Sequence, residues 1–273
     1  MQGGAAFAQS THMIDIHSHI LPEIDDGSRS FDEALEIARI AAEDGIEQMV
    51  CTPHMFNGIS GDPQPEEIRR RVSALQEKIG GSGLKVLPGN EVHISHQIVD
   101  HARTHRFCRL NNGNYMLVEF PSMMIPVGAA DLFYQLQLQG LYPILVHPER
   151  NAQFQVSPEL IEPYVRRGVF IQVTAMSVTG EFGIKAQKCA EILLRHQCVH
   201  CLATDTHRPK TRPPILSRGR DAAARIIGEE SARKLVEDHP LAVISNRALA
   251  PAPPLPFEKT SGKKSILERL VGR

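Results

Sequence analysis

Seven short apolar runs alternate with helical patterns along this chain, and this alternation limits the possible folds more than any other feature. Strands that alternate with helices are typical of a parallel sheet with right-handed crossovers. A length of 273 residues and a hydrophobic content of 42% suit either one α/β barrel or two smaller domains. We predict an α/β fold of a single domain, with the strands arranged in a barrel. The runs lie at residues 13–16, 47–52, 84–87, 115–118, 143–146, 169–173 and 199–203.

The segments between the runs carry signals for helix starts and ends. Ser30 and Glu33 form a capping box, because each side chain can bind a free backbone N–H of the first turn. Gly45 then ends that helix. Ser157 followed by Pro158 predicts another helix start by the N-cap and N1-proline rule. Further helices are predicted over residues 65–79, 126–139 and 182–195.

The first run ends in a pair of histidines, His17 and His19. Residues i and i+2 of a strand point to the same side, so the two imidazoles project together. Such a pair suits a divalent cation better than an apolar core. Asp25 and Asp26 follow in a turn and are close enough in sequence to fold back over the pair. The spacing does not decide which of these two carboxylates does so.

Six of the seven runs end in or beside His, Asp or Glu; the run at 169–173 does not. The C-terminal ends of all strands in a barrel open on one face, so these side chains would converge in one pocket. Nine such ligands exceed the needs of one ion. We therefore predict two or three divalent ions, with Mn²⁺, Fe and Zn all compatible. The predicted ligands are His17, His19, Asp25 or Asp26, His54, Glu91, Glu119, His147, Asp205 and His207.

With three doubly charged ions, a pocket of this kind would carry a net positive charge, because four carboxylates offset only four of the six positive charges. We therefore expect it to attract an anion, in particular a phosphate. Arg150 and Arg208 lie three and one residues beyond predicted ligands, where a guanidinium can hold phosphoryl oxygens. The alternative for each arginine is a surface ion pair.

The residues at the strand ends resemble those of the polymerase-and-histidinol-phosphatase (PHP) family. The resemblance is closest to the manganese-dependent protein tyrosine phosphatases encoded with bacterial capsule and exopolysaccharide genes. The matching segments occur in the family's order. They are residues 14–19 (IDIHSH), 25–28 (DDGS), 52–54 (TPH), 89–91 (GNE), 118–120 (VEF), 147–150 (HPER) and 204–207 (TDTH).

The resemblance implies a distorted (β/α)7 barrel over residues 13–245 with a manganese site of up to three ions at the strand ends. It implies that Asp26 rather than Asp25 is a ligand and that Glu91 bridges two ions. Arg150 and Arg208 would contact phosphate. The implied substrate is a phosphotyrosine protein, in particular the tyrosine-rich tail of a bacterial tyrosine autokinase of polysaccharide synthesis. The enzyme would then regulate capsule or exopolysaccharide synthesis.

The chemistry expected of such a site is attack on phosphorus by a hydroxide generated at the metal ions, while cations stabilise charge on the phosphoryl oxygens. A tyrosine phenolate leaves easily, because its conjugate acid has a pKa of about 10. Three alternatives stay open. They are a small-molecule phosphatase of the histidinol-phosphate type, a PHP nuclease and a non-catalytic regulatory module.

Other functions are disfavoured by the sequence. The spacing from Cys189 to Arg195 matches the C-x5-R loop of cysteine-dependent tyrosine phosphatases, but the residues between them include no glycine and have helical apolar spacing. A net charge of -1 gives no general basic surface for nucleic acid. The five cysteines lack framework spacing, which indicates a reducing cytoplasm. No segment is predicted to span a membrane.

Four further histidines follow the predicted ligand Glu91. His101 and His105 have i, i+4 spacing but no third ligand, so solvated surface histidines are favoured over a second metal site. His93 lies just beyond Glu91 and could reach the rim of the pocket. His96 carries no signal of its own.

The two ends of the chain differ in character from the region between them. Residues 1–12 lack a basic start and an apolar stretch, so we predict a flexible extension rather than a signal peptide, and Met13 could be the functional start. Residues 246–273 combine a proline-rich linker with a short basic amphipathic segment at 263–271. That segment could contact a partner or the periphery of an anionic membrane. A frayed tail is favoured, because so short a helix is marginal in water.

Overall fold

The structure of the protein is a computed structural model that describes residues 12–257. Most of the predicted N-terminal extension (residues 1–11) and the predicted basic segment at 263–271 lie outside the described residues. From residue 12 to residue 257, no helix combines the length and the hydrophobicity that crossing a bilayer requires.

The described residues contain nine strands, and every strand pairs in parallel with its neighbours. The strands are β1 Met13–Ser18, β2 Ile46–Cys51, β3 His54–Met55, β4 Lys85–Pro88, β5 Glu91–His93, β6 Tyr115–Glu119, β7 Tyr142–Val146, β8 Phe170–Thr174 and β9 Cys201–Ala203. They form a three-stranded sheet of order β1-β2-β4 and a six-stranded sheet of order β3-β5-β6-β7-β8-β9. This arrangement confirms the predicted α/β class.

Two of the seven predicted strand positions each hold two strands, because the chain passes from one sheet to the other there. Thr52 and Pro53 separate β2 from β3, and proline has no N–H to donate to a strand ladder. Gly89 and Asn90 separate β4 from β5. A side chain at Gly89 would overlap Val50, whose Cγ1 lies 2.8 Å from the position of a Cβ there.

The first and last strands meet just beyond the end of β9. An isolated parallel bridge pairs Ser18 with Thr206. The backbone N–H of His19 donates to Thr206 O at 2.8 Å, and the N–H of Asp205 donates to His17 O at 3.0 Å. The strands therefore follow each other around a ring, but the ring consists of two sheets and not of one continuous closed ladder.

Helices connect the strands and cover them. The helices are α1 Phe31–Glu43, α2 Pro65–Ile79, α3 Ile98–Arg103, α4 Ala129–Leu138, α5 Ala152–Val156, α6 Glu162–Arg166, α7 Ala175–Val178, α8 Ile184–Arg195, α9 Ser217–Ile227, α10 Glu229–Val236 and α11 Asp238–Ile244. Short 3-10 turns lie at Leu110–Asn112, Pro148–Arg150 and Pro158–Ile161.

Most predicted helix starts and ends agree with the structure. In the capping box, Ser30 Oγ accepts from Glu33 N at 3.2 Å, and the Glu33 carboxylate accepts from Arg29 N at 2.8 Å. The prediction for Ser157 was wrong in detail, because its side chain makes no capping hydrogen bond and the turn after it is 3-10. Helix α4 begins three residues later than predicted, directly after Gly128, whose φ of 79° is left-handed.

Hydrophobic side chains fill two regions. One cluster takes alternate residues of the strands, such as Ile14 and Ile16 in β1 and Leu117 in β6. Their neighbours along the strands, such as Met116 and Val118, belong to a larger cluster shared with the helices. Burial of both faces is expected of parallel strands covered by helices. The strand ends are therefore held on a scaffold that has no solvent on either side.

The proline-rich segment predicted as a linker forms no helix or strand as far as residue 257. Leu249 N donates to the Tyr115 hydroxyl at 3.0 Å. Leu255 N donates to His196 O at 2.8 Å. The described part of this segment is thus fastened at two separate points.

Helices α7 and α9 touch at Gly219. A Cβ added to Gly219 would lie 2.5 Å from Ala175 Cβ and 2.8 Å from Ala175 Cα. We predict that Gly219→Ala lowers the free energy of unfolding by about 1–3 kcal/mol, because the overlap outweighs a gain of about 1 kcal/mol in helix propensity. Urea denaturation measures the change. Asp221→Ala, at an exposed position of α9, is the control, and equal stability of the two variants would contradict the prediction.

Candidate metal centre

The imidazoles of His17 and His19 meet at the centre of the site, with their Nε2 atoms 3.2 Å apart. Both side chains are fully buried. His17 Nδ1 lies 3.0 Å from Gln172 Oε1, and His19 Nδ1 lies 2.8 Å from Asp25 Oδ2. These partners are acceptors, so each Nδ1 carries the hydrogen and each Nε2 directs a lone pair at the other. With both rings neutral, the two facing lone pairs repel each other at this distance, and a metal ion between them would remove the repulsion.

Two carboxylates complete the surroundings of this histidine pair. Asp205 Oδ1 lies 3.5 Å from His17 Nε2 and 3.4 Å from His19 Nε2. Glu91 Oε2 lies 3.4 Å from each of the same nitrogens. Imidazole nitrogens and carboxylate oxygens gathered around one point are the donor set that Mn²⁺, Fe²⁺ and Zn²⁺ accept in proteins.

Glu91 also faces two further histidines. Its Oε1 lies 2.8 Å from His147 Nε2, and its Oε2 lies 2.9 Å from His54 Nδ1. Glu119 approaches both of these histidines, at 3.9 Å from each. Although Glu91 Oε2 and His54 Nδ1 lie this close, their geometry is not that of a hydrogen bond, and both atoms are buried without a hydrogen-bond partner among the described residues. A buried oxygen without such a partner fits a ligand to a cation.

The two aspartates of the turn have different positions. Asp26 Oδ1 lies 3.3 Å from His54 Nε2 and 3.4 Å from His207 Nε2. Asp25 instead lies behind His19, and its Oδ1 also accepts from Gly27 N at 2.9 Å. The structure thus places Asp26 with the other candidate ligands and Asp25 as the group that orients one of them.

Four overlapping groups of ligand-type atoms result, and the atoms of each group lie within 4.8 Å of one another. The groups share members, as expected when several ions share bridging carboxylates. Their role as ligands stays a prediction, but the structure brings all the predicted residues together. The groups contain His17, His19, Asp26, His54, Glu91, Glu119, His147, Asp205 and His207.

Burial and neighbouring charges shift the pKa values of several of these side chains. Burial works against a charged His17, but the Glu91 and Asp205 carboxylates outweigh it, and the pKa of His17 is raised. In the same way burial opposes the charge of Asp205, but His17 and the guanidinium of Arg212 hold its pKa well below the usual range. Burial and the neighbouring imidazole of His19 lower the pKa of His207 to about 4. Neighbouring positive charge therefore keeps the Asp205 carboxylate ionised.

Two of the candidate ligands lie on strained backbone. His147 has a φ of 35° and Asp205 a φ of 53°, both in the left-handed region that residues other than glycine rarely adopt. His147 directly follows β7, and Asp205 lies two residues after the end of β9. Strained conformations of this kind concentrate at functional sites, where the surrounding structure holds them in place.

The arginines of the site differ in part from the prediction. Arg150 contacts the Asp205 carboxylate, and Arg212 Nη2 binds the same oxygen at 2.5 Å. Both guanidinium groups lie over the Phe182 ring, at 4.7 Å and 5.5 Å from its centroid. The guanidinium of Arg208 instead contacts Gly27 O and the Glu33 carboxylate. That Arg208 contacts phosphate stays a prediction. The arginine that lies beside Arg150, at the same Asp205 oxygen, is Arg212.

Several supporting residues were missed by sequence reasoning. Gln172 lies in β8, the strand without a predicted ligand at its end, and its one signal is that it is a polar residue in an apolar run. Arg212 lies in a loop and carried no signal. His93, expected near the rim, has its Nδ1 at 3.2 Å from Glu119 Oε2. Within residues 12–257, His101 belongs to no cluster of side chains close enough to bind a metal ion.

Cys189 lies in α8 as predicted and is buried there. Burial raises the pKa of its thiol, which is the opposite of what a nucleophilic thiolate needs. Its Sγ lies 3.4 Å from Phe154 O, in the packing between helices. The C-x5-R spacing is therefore a coincidence of helical sequence.

Comparison with known proteins identifies the relatives of this chain. The family described as "Capsular polysaccharide synthesis, CpsB/CapC" matches residues 13–245. Tyrosine-protein phosphatase YwqE of Bacillus subtilis is 33% identical over 249 residues, which cover 90% of this chain and 97% of the relative. Tyrosine-protein phosphatase CpsB of Streptococcus pneumoniae is 26% identical over 248 residues, covering 87% of this chain and 100% of the relative.

Solved structures give the same result. A chain from the crystal structures of YwqE from Bacillus subtilis and CpsB from Streptococcus pneumoniae, described as unique metal-dependent tyrosine phosphatases, superposes with a TM-score of 0.86 at 32% identity. The match covers 90% of this chain and 100% of that chain. A lactonase from Listeria monocytogenes, at 12% identity and a TM-score of 0.57 over 88% of this chain and 96% of its own, shares the fold alone.

The hydrogen bond from His17 to Gln172 gives a test of metal binding that does not depend on activity. We predict that Gln172→Leu weakens Mn²⁺ binding by about 10–100-fold, because the residue that fixes the ring and hydrogen of His17 is lost. Gln172→Glu keeps an acceptor and should bind Mn²⁺ far more tightly than the leucine variant. Titration of metal-free protein against a chelating dye measures both. Equal affinity of the leucine variant and the parent would contradict the prediction.

Proposed function

The chain belongs to the CpsB/CapC family of capsular polysaccharide synthesis, and we propose that it removes phosphate from phosphotyrosine in proteins by metal-dependent hydrolysis. The observation that carries this proposal is the cage of imidazoles and carboxylates at the strand ends, in which the Nε2 atoms of His17 and His19 face each other at 3.2 Å. Relatives that match this chain along nearly its whole length are tyrosine phosphatases.

The nine candidate ligands would hold two or three divalent ions, and we take Mn²⁺ first, with Fe and Zn as alternatives. Bound there, such ions supply a water of lowered pKa and positive charge for the phosphoryl oxygens. Asp25 and Gln172 keep two of the imidazoles in the tautomer that presents Nε2 to a metal. Glu91, which faces four imidazoles, would be shared between ions.

Arg150 and Arg212 are the candidates for holding the phosphate. Both contact the Asp205 carboxylate at the edge of the cage, and the Phe182 ring supports both guanidinium planes. A guanidinium fork matches the spacing of two phosphoryl oxygens. Arg208 is held by Glu33 and Gly27 O. It would act indirectly, by fixing the turn that carries Asp26.

The leaving group sets what further help the site must supply. A tyrosine phenolate departs with a conjugate-acid pKa of about 10, so it needs little protonation in the transition state. An aliphatic alkoxide from serine needs much more. A site built mainly to bind cations and anions therefore suits phosphotyrosine better than phosphoserine.

For the physiological setting, we propose the tyrosine-rich tail of a bacterial tyrosine autokinase as the substrate, and the cytoplasm as the compartment. The family's role in capsular polysaccharide synthesis supports the first. The five cysteines, which are all buried free thiols, support the second. Dephosphorylation of such a kinase would regulate capsule or exopolysaccharide synthesis.

The other candidate functions have less support. A regulatory module without activity needs no complete ligand set, and here all the predicted ligands meet. A nuclease would require a basic surface that a net charge of -1 does not suggest. A small-molecule phosphatase of the histidinol-phosphate type could use the same ions and is the alternative that experiments must separate.

Substitution of single candidate ligands tests the metal mechanism. We predict that His147→Asn and Asp205→Asn each lower kcat/KM for an aryl phosphate by about 100-fold or more, because each removes a metal ligand. Asparagine is chosen because it tolerates the left-handed backbone at both positions. Chelation should abolish the parent's activity and Mn²⁺ should restore it. Cys189→Ala is the control that should stay active; its loss of activity, or resistance to chelation, would favour cysteine chemistry.

Substrate class is tested by direct comparison. We predict that kcat/KM for a phosphotyrosyl peptide exceeds that for histidinol phosphate by more than about tenfold, because the phenolate leaves without strong protonation. A phosphoseryl peptide of the same sequence is the control and should be turned over poorly. Phosphate release measures all three. Faster turnover of histidinol phosphate than of the phosphotyrosyl peptide would reassign the protein as a small-molecule phosphatase.

A further inference from the structure

The loop that follows β6 presents apolar side chains to solvent beside the metal centre. This segment, residues 121–128, is called here the methionine loop, and its sequence PSMMIPVG contains no charged residue. Met123 is 72% exposed, Met124 54% and Val127 fully exposed. Single exposed apolar residues are common on proteins, but a group of three in one short uncharged loop indicates a contact surface.

The methionine loop is held in place despite its exposure. Asn151 is almost fully buried, and its side-chain amide donates to Pro121 O at 2.8 Å and to Met124 O at 2.9 Å. Ile125 N donates to the Gln153 side chain at 2.8 Å, and Ala152 N donates to a loop carbonyl at 2.8 Å. The loop is therefore preorganised, and the exposure of its methionines is not the result of fraying.

The same hydrogen bonds fix the loop's position relative to the site. Asn151 directly follows Arg150, so its Cα lies about 3.8 Å from that of a candidate phosphate-binding residue. The loop also begins two residues after Glu119, a candidate metal ligand. The first half of the methionine loop is thus connected to Glu119 by the chain and to Arg150 through Asn151, and it borders the cage there.

We propose that the methionine loop is the docking surface for the apolar residues that flank the phosphotyrosine in an extended substrate peptide. The inference rests on the proposed function, since it names how that substrate is recognised. An extended peptide advances about 3.3 Å per residue, so residues two or three positions from the phosphotyrosine reach about 7–10 Å from it and pass over the rim. Methionine side chains are flexible and adapt to different apolar partners.

Two other occupants fit the loop less well. An anionic membrane is attracted by lysine and arginine, and the loop contains neither. A second copy of this chain would need an interface of about 800 Å² on each partner, far more than two methionines and a valine provide. A peptide whose phosphate is already held by the cage needs only a small additional surface.

The test uses the double variant Met123→Gln/Met124→Gln in the full chain. Glutamine is similar in length to methionine but polar. Three substrates are compared: a phosphotyrosyl peptide with leucines on both sides, the same peptide with serines there, and p-nitrophenyl phosphate. The parent should prefer the leucine peptide, mainly through KM, and the double variant should lose about tenfold in kcat/KM for it. Its activity on p-nitrophenyl phosphate should be unchanged.

Leu138→Gln is the matched control, because Leu138 is also exposed, at 68%, but lies at the far end of α4. It should alter none of the three activities. An unchanged preference for the leucine peptide in the double variant, or an equal fall for p-nitrophenyl phosphate, would overturn the proposal. So would unchanged peptide kinetics together with altered vesicle binding or a changed mass in sedimentation equilibrium. A parent protein inactive on every phosphotyrosyl substrate but active on histidinol phosphate would instead overturn the proposed function.

Discussion

The buried carboxylate of Glu91 is the group on which the site depends. Its oxygens lie within 3.4 Å of His17 and His19, and 2.9 Å and 2.8 Å from His54 and His147. An ionised carboxylate away from water is stable only if positive charge balances it. Protons on the imidazoles or metal ions between them can supply that charge. Because His17 and His19 already use Nδ1 as a donor elsewhere, a metal ion between the Nε2 atoms satisfies the most groups at once.

The fold holds this charged cage in place through local contacts at the strand ends. Asp15 accepts from His17 N at 3.2 Å and from Thr204 N at 3.1 Å, which ties the first strand to the segment that leads to Asp205. The pairing of β1 with β2 is irregular between Asp15 and Ser18. Irregular pairing re-aims side chains near active sites, and here it occurs where the histidine pair begins. The irregular stretch thus lies on a scaffold whose strands are buried on both faces.

The sequence predicted the fold class and the members of the cage, because one rule covers both. Parallel strands bring their C-terminal ends to one face of the sheet. A ligand-type residue at the end of each strand is therefore sufficient to predict that these side chains lie together. Spacing could not separate Asp25 from Asp26, since that choice depends on how the turn folds back. Gln172 was missed because it acts through a histidine that lies 155 residues away in the sequence. Arg212 lies only seven residues after Asp205, but in a loop, where no periodicity shows which way a side chain points. Sequence patterns report local periodicity, and such partners are set only by the closed tertiary structure.

The exposure of the cage indicates the side from which a substrate approaches. His17 and His19 are fully buried, whereas the side chain of Asp26 is 60% exposed and that of Glu119 is partly exposed. The opening therefore lies on the side of the turn and of β6, and the loop after β6 borders it. A cage that grips only a phosphate would accept any small phosphoester that reaches it. Selectivity for a protein substrate must then come from contacts outside the cage, and the apolar, firmly held loop on this side has the chemistry to provide them.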